Sequence, residues 1–315
     1  MIKLEDVKKY YGDFKALDGI SFEIAKGEIA AFLGPNGAGK TTTMRIISNY
    51  FPASSGSVSI KGLSPSEGRR FIGYMPESNP LYPEMFVEDY LRYVLRLRGI
   101  KNAALLKNAV EKCSLKDVMS KKIGELSKGY RQRVGLAASI VHDPEILILD
   151  EPTIGLDPNQ IRGIRALIKE LGREKTVIIS THILSEAAAM ATRIIIINEG
   201  SLVMDSPADK LESSFSSKII LNFEKFPEDI DALNKISGIE NISRGEKEIE
   251  ISYAEGNDIR GEVFAFCAAK KWKVVEMFTK KEGLEEIFKK LTGENASGLA
   301  KGLSAKAKLP GGEER

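Results

Sequence analysis

Apolar and polar residues alternate along the first part of the chain, in two segments separated by the turn residues Gly12 and Asp13. A period of two places alternate side chains on one face of a strand, so both segments are predicted to be antiparallel strands. Three later runs are almost wholly apolar: Ile29–Leu33, Ile146–Leu149 and Thr176–Ser180. Such runs are typical of strands buried on both faces of a sheet. The pattern predicts an α/β fold that begins with an antiparallel β subdomain.

The spacing changes to a helical period between residues 87 and about 141. Tyr90, Leu91 and Leu95 follow one another at helical intervals, which predicts an amphipathic helix with one buried face. We therefore expect a helical insertion within the α/β core. The first domain is predicted to span residues 1–215.

The remaining residues divide into a second domain and a tail. Residues 216–293 have the strand and helix order β-α-β-β-α-β, which predicts a small ferredoxin-like α+β module followed by a helix at Gly283–Leu291. Residues 294–315 consist mainly of small residues and lysine without periodicity, so a disordered tail is expected. The expected core of the module is Leu221, Phe223, Ile230, Leu233, Val263, Phe266, Val275 and Phe278.

The stretch Gly34–Thr42, GPNGAGKTT, lies between the apolar run Ile29–Leu33 and a helical pattern. A glycine, four residues and then Gly39, Lys40 and Thr41 give the spacing of a phosphate-binding loop, whereas a merely flexible glycine loop would not require it. Glycines let backbone N–H groups approach a phosphate, and the helix N-terminus adds partial positive charge. Lys40 is expected at the β- and γ-phosphates, and the Thr41 hydroxyl at a magnesium ion. The candidate ATP contacts in this loop are Gly34, Pro35, Asn36, Gly37, Ala38, Gly39, Lys40, Thr41 and Thr42.

Two acidic residues, Asp150 and Glu151, directly follow the apolar run Ile146–Leu149. The carboxyl ends of buried strands are where α/β folds place ligands. Asp150 is expected to hold magnesium through water, and Glu151 to orient or deprotonate the water that attacks a γ-phosphate. His182 follows the next buried strand and is placed to reach a γ-phosphate, although a structural histidine is the simpler interpretation of this residue by itself.

Two further positions have open interpretations. Tyr11 precedes the phosphate loop and either stacks on a nucleobase or is an ordinary strand tyrosine. Ser127 is a predicted N-cap of a helix that ends before Pro144, and the N-terminus of this helix offers a place for a second anion.

The composition is that of an ordinary soluble protein, with 43% hydrophobic and 29% charged residues. The apolar runs are far shorter than the roughly 20 residues that span a bilayer, and the N-terminus lacks the apolar stretch of a signal peptide. The two cysteines, Cys113 and Cys267, form no metal or disulfide pattern. A net charge of +2 provides no overall excess for binding nucleic acid, so no such partner is expected. These features predict a cytoplasmic protein.

Five spaced motifs resemble those of the nucleotide-binding subunits of ATP-binding-cassette (ABC) transporters, over roughly residues 1–215. The resemblance implies a P-loop NTPase cassette that binds ATP and Mg²⁺ and hydrolyses ATP, with Lys40, Glu151 and His182 in the catalytic site. It also implies that Tyr11 is the aromatic residue that stacks on adenine. The motifs are GPNGAGKTT at Gly34–Thr42, LSKGY at Leu126–Tyr130, ILILDEP at Ile146–Pro152, GLD at Gly155–Asp157 and STH at Ser180–His182.

The resemblance further implies a head-to-tail dimer with two ATP molecules between the subunits. The dimer would be a homodimer or a heterodimer with a related ATPase. Ser127, Lys128 and Gly129 would form the signature that covers the γ-phosphate bound by the second subunit. Asp157 would lie near the dimer seam.

Two departures from the family pattern concern these motifs. Glu77 stands where the family usually has glutamine, and it is still able to accept a water on magnesium, so that Thr41, Asp150 and Glu77 are the expected metal residues. Lys128 and Tyr130 replace a usual glycine and the final glutamine of the signature. Lys128 either adds charge near the phosphate or faces solvent.

The leading functional hypothesis is an ATPase subunit that powers a separate membrane permease. Export is favoured by the resemblance to the branch with gliding-motility-type and multidrug-type ATPases. The insertion at 87–118 would carry the permease contact, and the chain would be peripheral on the inner face of the cell membrane. The alternatives are a soluble ABC ATPase that acts on DNA or the ribosome, and a low-turnover nucleotide-binding regulator suggested by Glu77 and Lys128.

Overall fold

A computed structural model divides the protein into two compact units. The first unit comprises Met1–Ala208 and the second begins at Asp209. The helix predicted at Gly283–Leu291 and the tail predicted at 294–315 lie outside the described residues. The structure describes residues 1–213, 217–227, 229–245, 248–253 and 258–281.

The first unit combines strands and helices in an alternating order. Its strands are β1 (Ile2–Tyr11), β2 (Phe14–Ile24), β3 (Ile29–Leu33), β4 (Ser55–Ile60), β5 (Ile72–Met75), β6 (Ile146–Asp150), β7 (Thr176–Thr181), β8 (Arg193–Asn198) and β9 (Ser201–Pro207). Its helices are α1 (Lys40–Ile47), α2 (Pro65–Gly68), α3 (Val87–Leu97), α4 (Ala103–Lys112), α5 (Lys128–Ile140), α6 (Pro158–Gly172) and α7 (Leu184–Met190), and α8 (Ala208–Ser213) spans the boundary to the second unit.

The predicted antiparallel start is present as a three-stranded sheet in the order β2-β1-β4. In its register, Ile2 lies opposite Ile24 on one side and Ile60 on the other. The buried residues Ile2 and Leu4 join the main hydrophobic core, as their alternation with exposed residues predicts, and a register shift after Leu4 brings Val7 to the same core.

A six-stranded sheet in the order β5-β6-β7-β3-β8-β9 forms the centre of the first unit. Strands β5, β6, β7, β3 and β8 are parallel to one another, and β9 pairs antiparallel with β8. Every residue of β3, β6 and β7 is buried, which explains their nearly continuous apolar sequences. Because these three strands are parallel neighbours, their carboxyl ends meet at one edge of the sheet.

Helices α3, α4 and α5 occupy the predicted helical insertion, and both α3 and α4 pack against α5. Ser127 caps α5 by accepting a hydrogen bond from the Tyr130 backbone N–H at 3.4 Å. No helix in the described part of the chain is long and apolar enough to cross a bilayer.

The second unit contains an antiparallel sheet in the strand order β11-β12-β10-β13. A 3₁₀ helix at Ile230–Lys235 and helix α9 contribute to the core under this sheet, which includes Leu221 and Ile251. The 3₁₀ helix stands where the first helix of the β-α-β-β-α-β order is predicted, and it is shorter than expected. The strands are β10 (Ser217–Phe223), β11 (Ile239–Arg244), β12 (Glu248–Tyr253) and β13 (Val274–Lys281), and α9 is Arg260–Ala269.

Two residues predicted in the core of the second unit are on its surface. Val275 is 71% exposed and Phe278 is 42% exposed. Met277 packs against the core, so the alternation of a strand turns its neighbour Phe278 to the opposite face. A register shift between Asn222 and Phe223 lies opposite the start of β13, where Val275 falls.

Candidate nucleotide-binding site

The phosphate-loop sequence forms a turn between β3 and α1, as predicted. Gly37 and Gly39 have φ angles of 82° and 108°, a backbone conformation that side chains with a Cβ rarely adopt. A Cβ on Gly39 would also lie 2.7 Å from a Leu17 methyl carbon. Helix α1 begins at Lys40, has no acidic residue in its first turn and receives no side-chain cap. Its first N–H groups are therefore oriented to bind an anion.

Lys40 folds back over this loop and is only 6% exposed. Its Nζ donates hydrogen bonds to the carbonyl oxygens of Gly34 at 2.7 Å and Pro35 at 3.1 Å. Burial lowers the pKa of Lys40, and the negative charges of Glu151, Asp150 and Glu77 oppose this change. Three carboxylates thus act on the Lys40 amino group, and of these Glu151 lies 3.9 Å from Nζ.

Asp150 is fully buried at the end of β6. Its Oδ1 accepts hydrogen bonds from the hydroxyls of Thr41, at 3.2 Å, and Ser180. Its Oδ2 is buried and has no hydrogen-bond partner within the described residues. A buried carboxylate oxygen without a donor is a suitable partner for a cation or its bound water.

The residues present fit a magnesium ion. Asp150 and Thr41 supply hard oxygen atoms side by side, and Mg²⁺ typically takes one or two protein oxygens and keeps waters and phosphate oxygens as its other ligands. Within the described residues there is no cluster of three or more His, Cys, Asp or Glu side chains able to hold a metal. The paired oxygens of Asp150 and Thr41 suit a magnesium ion that arrives with a nucleotide.

Glu151 and His182 lie together next to this pair. His182 Nδ1 is 3.0 Å from Glu151 Oε2 and 3.1 Å from Oε1, and it carries the shared proton because a carboxylate only accepts. The Lys40 Nζ is 3.9 Å from Glu151 Oε1. Glu151 is buried, and its backbone N–H donates to Ser180 Oγ at 2.9 Å. This arrangement fixes the Glu151 carboxylate beside both His182 and Lys40.

Ser180 is the functional residue that the sequence pattern did not single out for a role. Its hydroxyl donates to Asp150 and accepts from the Glu151 backbone, so it fixes both acidic residues at once. The register explains the contact, because Asp150 lies opposite Ser180 in the pairing of β6 and β7. The one signal for Ser180 in the sequence was its place as the first residue of the STH motif, at the end of a predicted strand.

Tyr11 and Glu77, the predicted nucleotide contacts outside the phosphate loop, are both exposed. Tyr11 is 47% exposed, and its ring meets Phe51 edge-on with the centroids 6.0 Å apart. Lys9 Nζ lies 5.4 Å from the centre of the Tyr11 ring. Glu77 is exposed two residues after β5, at the same edge of the sheet as Asp150, and its charge acts on Lys40.

The signature residues lie apart from the phosphate loop of the same chain. Among the described residues, no hydrogen bond or ion pair joins Ser127, Lys128 or Gly129 to that loop. Lys128 is exposed, and its Nζ lies against the backbone of Gly155, where a Cβ would be only 1.8 Å away. Asp157 caps α6 by accepting hydrogen bonds at 2.9 Å from the backbone N–H groups of the second and third residues of that helix.

A phosphate loop, a buried aspartate beside a threonine hydroxyl and a glutamate held by histidine meet at one edge of a parallel sheet. These features define the class of P-loop nucleoside triphosphatases.

Comparison with known proteins identifies the family within this class. The profile of the ABC transporter family matches residues 17–154. An uncharacterised ABC transporter ATP-binding protein of Methanocaldococcus jannaschii is 41% identical over 206 residues, covering 64% of this chain and 76% of the relative. The linearmycin resistance ATP-binding protein LnrL of Bacillus subtilis is 30% identical over 307 residues, covering 93% and 98%.

A solved structure gives the same result. The dimeric structure of an ATP-binding cassette in a post-hydrolysis state, bound to ADP and Pi, is 27% identical with a TM-score of 0.60, covering 66% of this chain and 99% of that one. The chain belongs to the ATP-binding subunits of ABC transporters, and it is an ATPase. The expected ABC cassette fold is confirmed.

Proposed function

We propose that this chain powers export through a separate membrane permease, which it binds from the cytoplasmic side as a dimer with Mg-ATP at each phosphate loop. The relative named for linearmycin resistance supports export, because it matches almost the whole chain and export of a compound is one way for a cell to resist it. The dimeric cassette supports a dimer.

The observation that carries the chemistry is the contact of His182 with Glu151. In the proposed mechanism, ATP replaces the Gly34 and Pro35 carbonyl oxygens as the partner of Lys40. Thr41, Asp150 and Glu77 would hold magnesium, which when bound would neutralise charge on the β- and γ-phosphates.

Glu151 then accepts a proton from the attacking water, while the oxygen of this water forms a bond to the γ-phosphorus. The bond from that phosphorus to the bridging oxygen breaks, and ADP and phosphate are released. His182 Nδ1 holds the Glu151 carboxylate, which leaves Nε2 to face the γ-phosphate. A low-turnover regulator is disfavoured, because such a protein has no need of an oriented base.

Replacing Glu151 by glutamine tests this mechanism. We expect ATP turnover to fall by about 10²–10⁴-fold while ATP binding is retained, because glutamine keeps the shape but cannot take the proton. The ATP-bound dimer should then persist in size-exclusion chromatography with ATP and magnesium. Glu145→Gln is the matched control. Glu145 directly precedes the first residue of β6, at the end of the strand away from Glu151, and it pairs with Lys61. Normal turnover in Glu151→Gln would disprove the role of this residue.

The permease partner is tested separately. The chain should co-purify from detergent-solubilised membranes with a protein that has several predicted membrane spans. Recovery only in the soluble fraction, with DNA or ribosomes, would contradict the proposal.

A further inference from the structure

Gln132 is a buried amide on α5 that takes no part in the mechanism above. It lies one turn beyond the signature and is 5% exposed. Its Nε2 donates a hydrogen bond of 2.9 Å to the Pro152 carbonyl oxygen, and its Oε1 accepts one of 2.9 Å from Asn79 Nδ2. One side chain therefore joins three separate elements.

The orientation of this amide is fixed by its partners. A backbone carbonyl only accepts, so the NH₂ group of Gln132 must face Pro152, and the carbonyl of the same amide must then face Asn79. Both hydrogen bonds are lost if the side chain has no polar atoms, and the one to Pro152 is lost if it has no donor. The position thus requires an amide rather than any residue of similar size.

Asn79 is itself held closely against α5. A Cβ on Gly135, one turn after Gln132, would lie 2.4 Å from Asn79 Oδ1. The absence of a side chain at Gly135 creates the space that the Asn79 amide occupies. Gln132 and Gly135 therefore form one face of α5 that binds the segment after β5.

The two partners of Gln132 belong to the segments that carry functional acids. Pro152 directly follows Glu151, and Asn79 lies two residues after Glu77. Strands β5 and β6 are parallel neighbours, with Met75 opposite Leu149, so both segments leave the sheet at the same edge. We infer that Gln132 is a positioning residue for ATP hydrolysis, whose amide fixes the Glu151 loop relative to the Glu77 segment. This inference rests on the proposed role of Glu151.

A positioning residue of this kind should affect turnover rather than ATP affinity. We expect Gln132→Met, which keeps the length of the side chain but removes both hydrogen bonds, to lower kcat at least tenfold while the Kd for ATP stays within twofold. Ser139→Ala is the matched control on the same helix, because it removes a buried hydrogen bond to the Leu136 carbonyl that is local to α5. This control should lower the melting temperature similarly and leave kcat unchanged.

Two further variants keep the inference testable if Gln132→Met does not fold. Gln132→Glu retains the acceptor for Asn79 but has no donor for Pro152, so it should lose kcat like the methionine variant. Asn79→Ala frees the Gln132 amide to rotate and should lower kcat at least threefold without weakening ATP binding. Normal kcat in the folded variants, or an equal loss in Ser139→Ala, would overturn the inference. If Glu151→Gln is inactive but the Gln132 variants are normal, only the inference fails; if Glu151→Gln is active, the proposed role of Glu151 fails.

Discussion

Glu151 combines the side chain proposed as the base with an unfavourable backbone conformation. Its φ angle is 48°, in the left-handed region, which costs a residue with a Cβ about 1–3 kcal/mol when the surroundings impose it. The Ser180 hydroxyl holds its N–H, and Gln132 holds the carbonyl of the next residue. Neighbouring strands and helices thus compensate for this local cost, and the carboxylate is aimed at His182.

His142 shows how burial acts on a titratable residue away from this site. Its Nε2 donates to the Ile72 carbonyl at 3.2 Å, and its Nδ1 is buried without a partner in the described chain. Burial, helped by the positive charge of Arg98 and then of Lys175 and opposed by Asp143, lowers the pKa of His142 to about 4. The folded state therefore keeps this imidazole neutral at a pH where the unfolded chain protonates it.

This difference predicts a loss of stability in mild acid. The unfolded chain binds the proton below its pKa of 6.5, so the stabilisation is fully present above pH 6.5 and is lost as the pH falls towards 4. We expect wild type to lose up to about 3 kcal/mol more than His142→Gln across this window, because glutamine keeps an N–H donor but does not titrate. Denaturant unfolding at several pH values measures it, and equal pH dependence in both proteins would contradict it.

At the scale of elements, the site is made by strand ends and a helix start. Strands β6, β7 and β3 are consecutive parallel neighbours, and their ends deliver Asp150, His182 and the phosphate loop to one edge. The signature at the start of α5 has no hydrogen bond or ion pair to this loop among the described residues. We propose that this N-terminus instead binds a nucleotide held by another subunit.

Mixed dimers test this composite site. Ser127→Arg subunits and Lys40→Ala subunits should each be inactive alone, because one signature and one phosphate loop are needed at every site. A mixed dimer contains one site with both defects and one with neither. Random assembly of equal amounts should restore about a quarter of wild-type turnover, since half of the dimers are mixed and each has one intact site. No recovery, with mixed dimers confirmed by two affinity tags, would show that Ser127 acts within its own subunit.

At the scale of the whole molecule, the proposed nucleotide contacts all belong to one of the two folded units. Every proposed nucleotide contact lies between residues 11 and 182, within the first unit. The second unit has its own core, which includes Ile219, Leu221, Ile249 and Val263. A core of this kind allows independent folding, and it leaves dimer stability or permease coupling as the role we propose for this unit.

Truncation after Ser213 tests this division. We expect the shortened chain to bind ATP with a Kd within about threefold of wild type, because all proposed contacts are retained. The same truncation with Lys40→Ala provides the non-binding control. A folded truncation that binds ATP at least tenfold more weakly, a difference of about 1.4 kcal/mol, would show that the second unit shapes the nucleotide site.

The sequence by itself determined the motifs and the elements that carry them. Apolar runs located β3, β6 and β7, because strands buried on both faces exclude polar residues. The spacing of Gly39, Lys40 and Thr41 predicted a phosphate-binding loop, because that chemistry needs those residues in that order. Local periodicity reports which side chains are buried, and this is why the predicted strands agree with the structure.

Tertiary structure alone decided which of these elements meet. The strand order placed Ser180 against Asp150, and the packing of α5 brought Gln132 to Pro152. It also left Val275 out of the core, since a register shift in the pairing of β10 with β13 falls at this residue and changes the face of a strand without changing its composition. Such contacts join residues far apart in the chain, and the physical reason they escape the sequence pattern is that periodicity constrains burial within an element but not its neighbours.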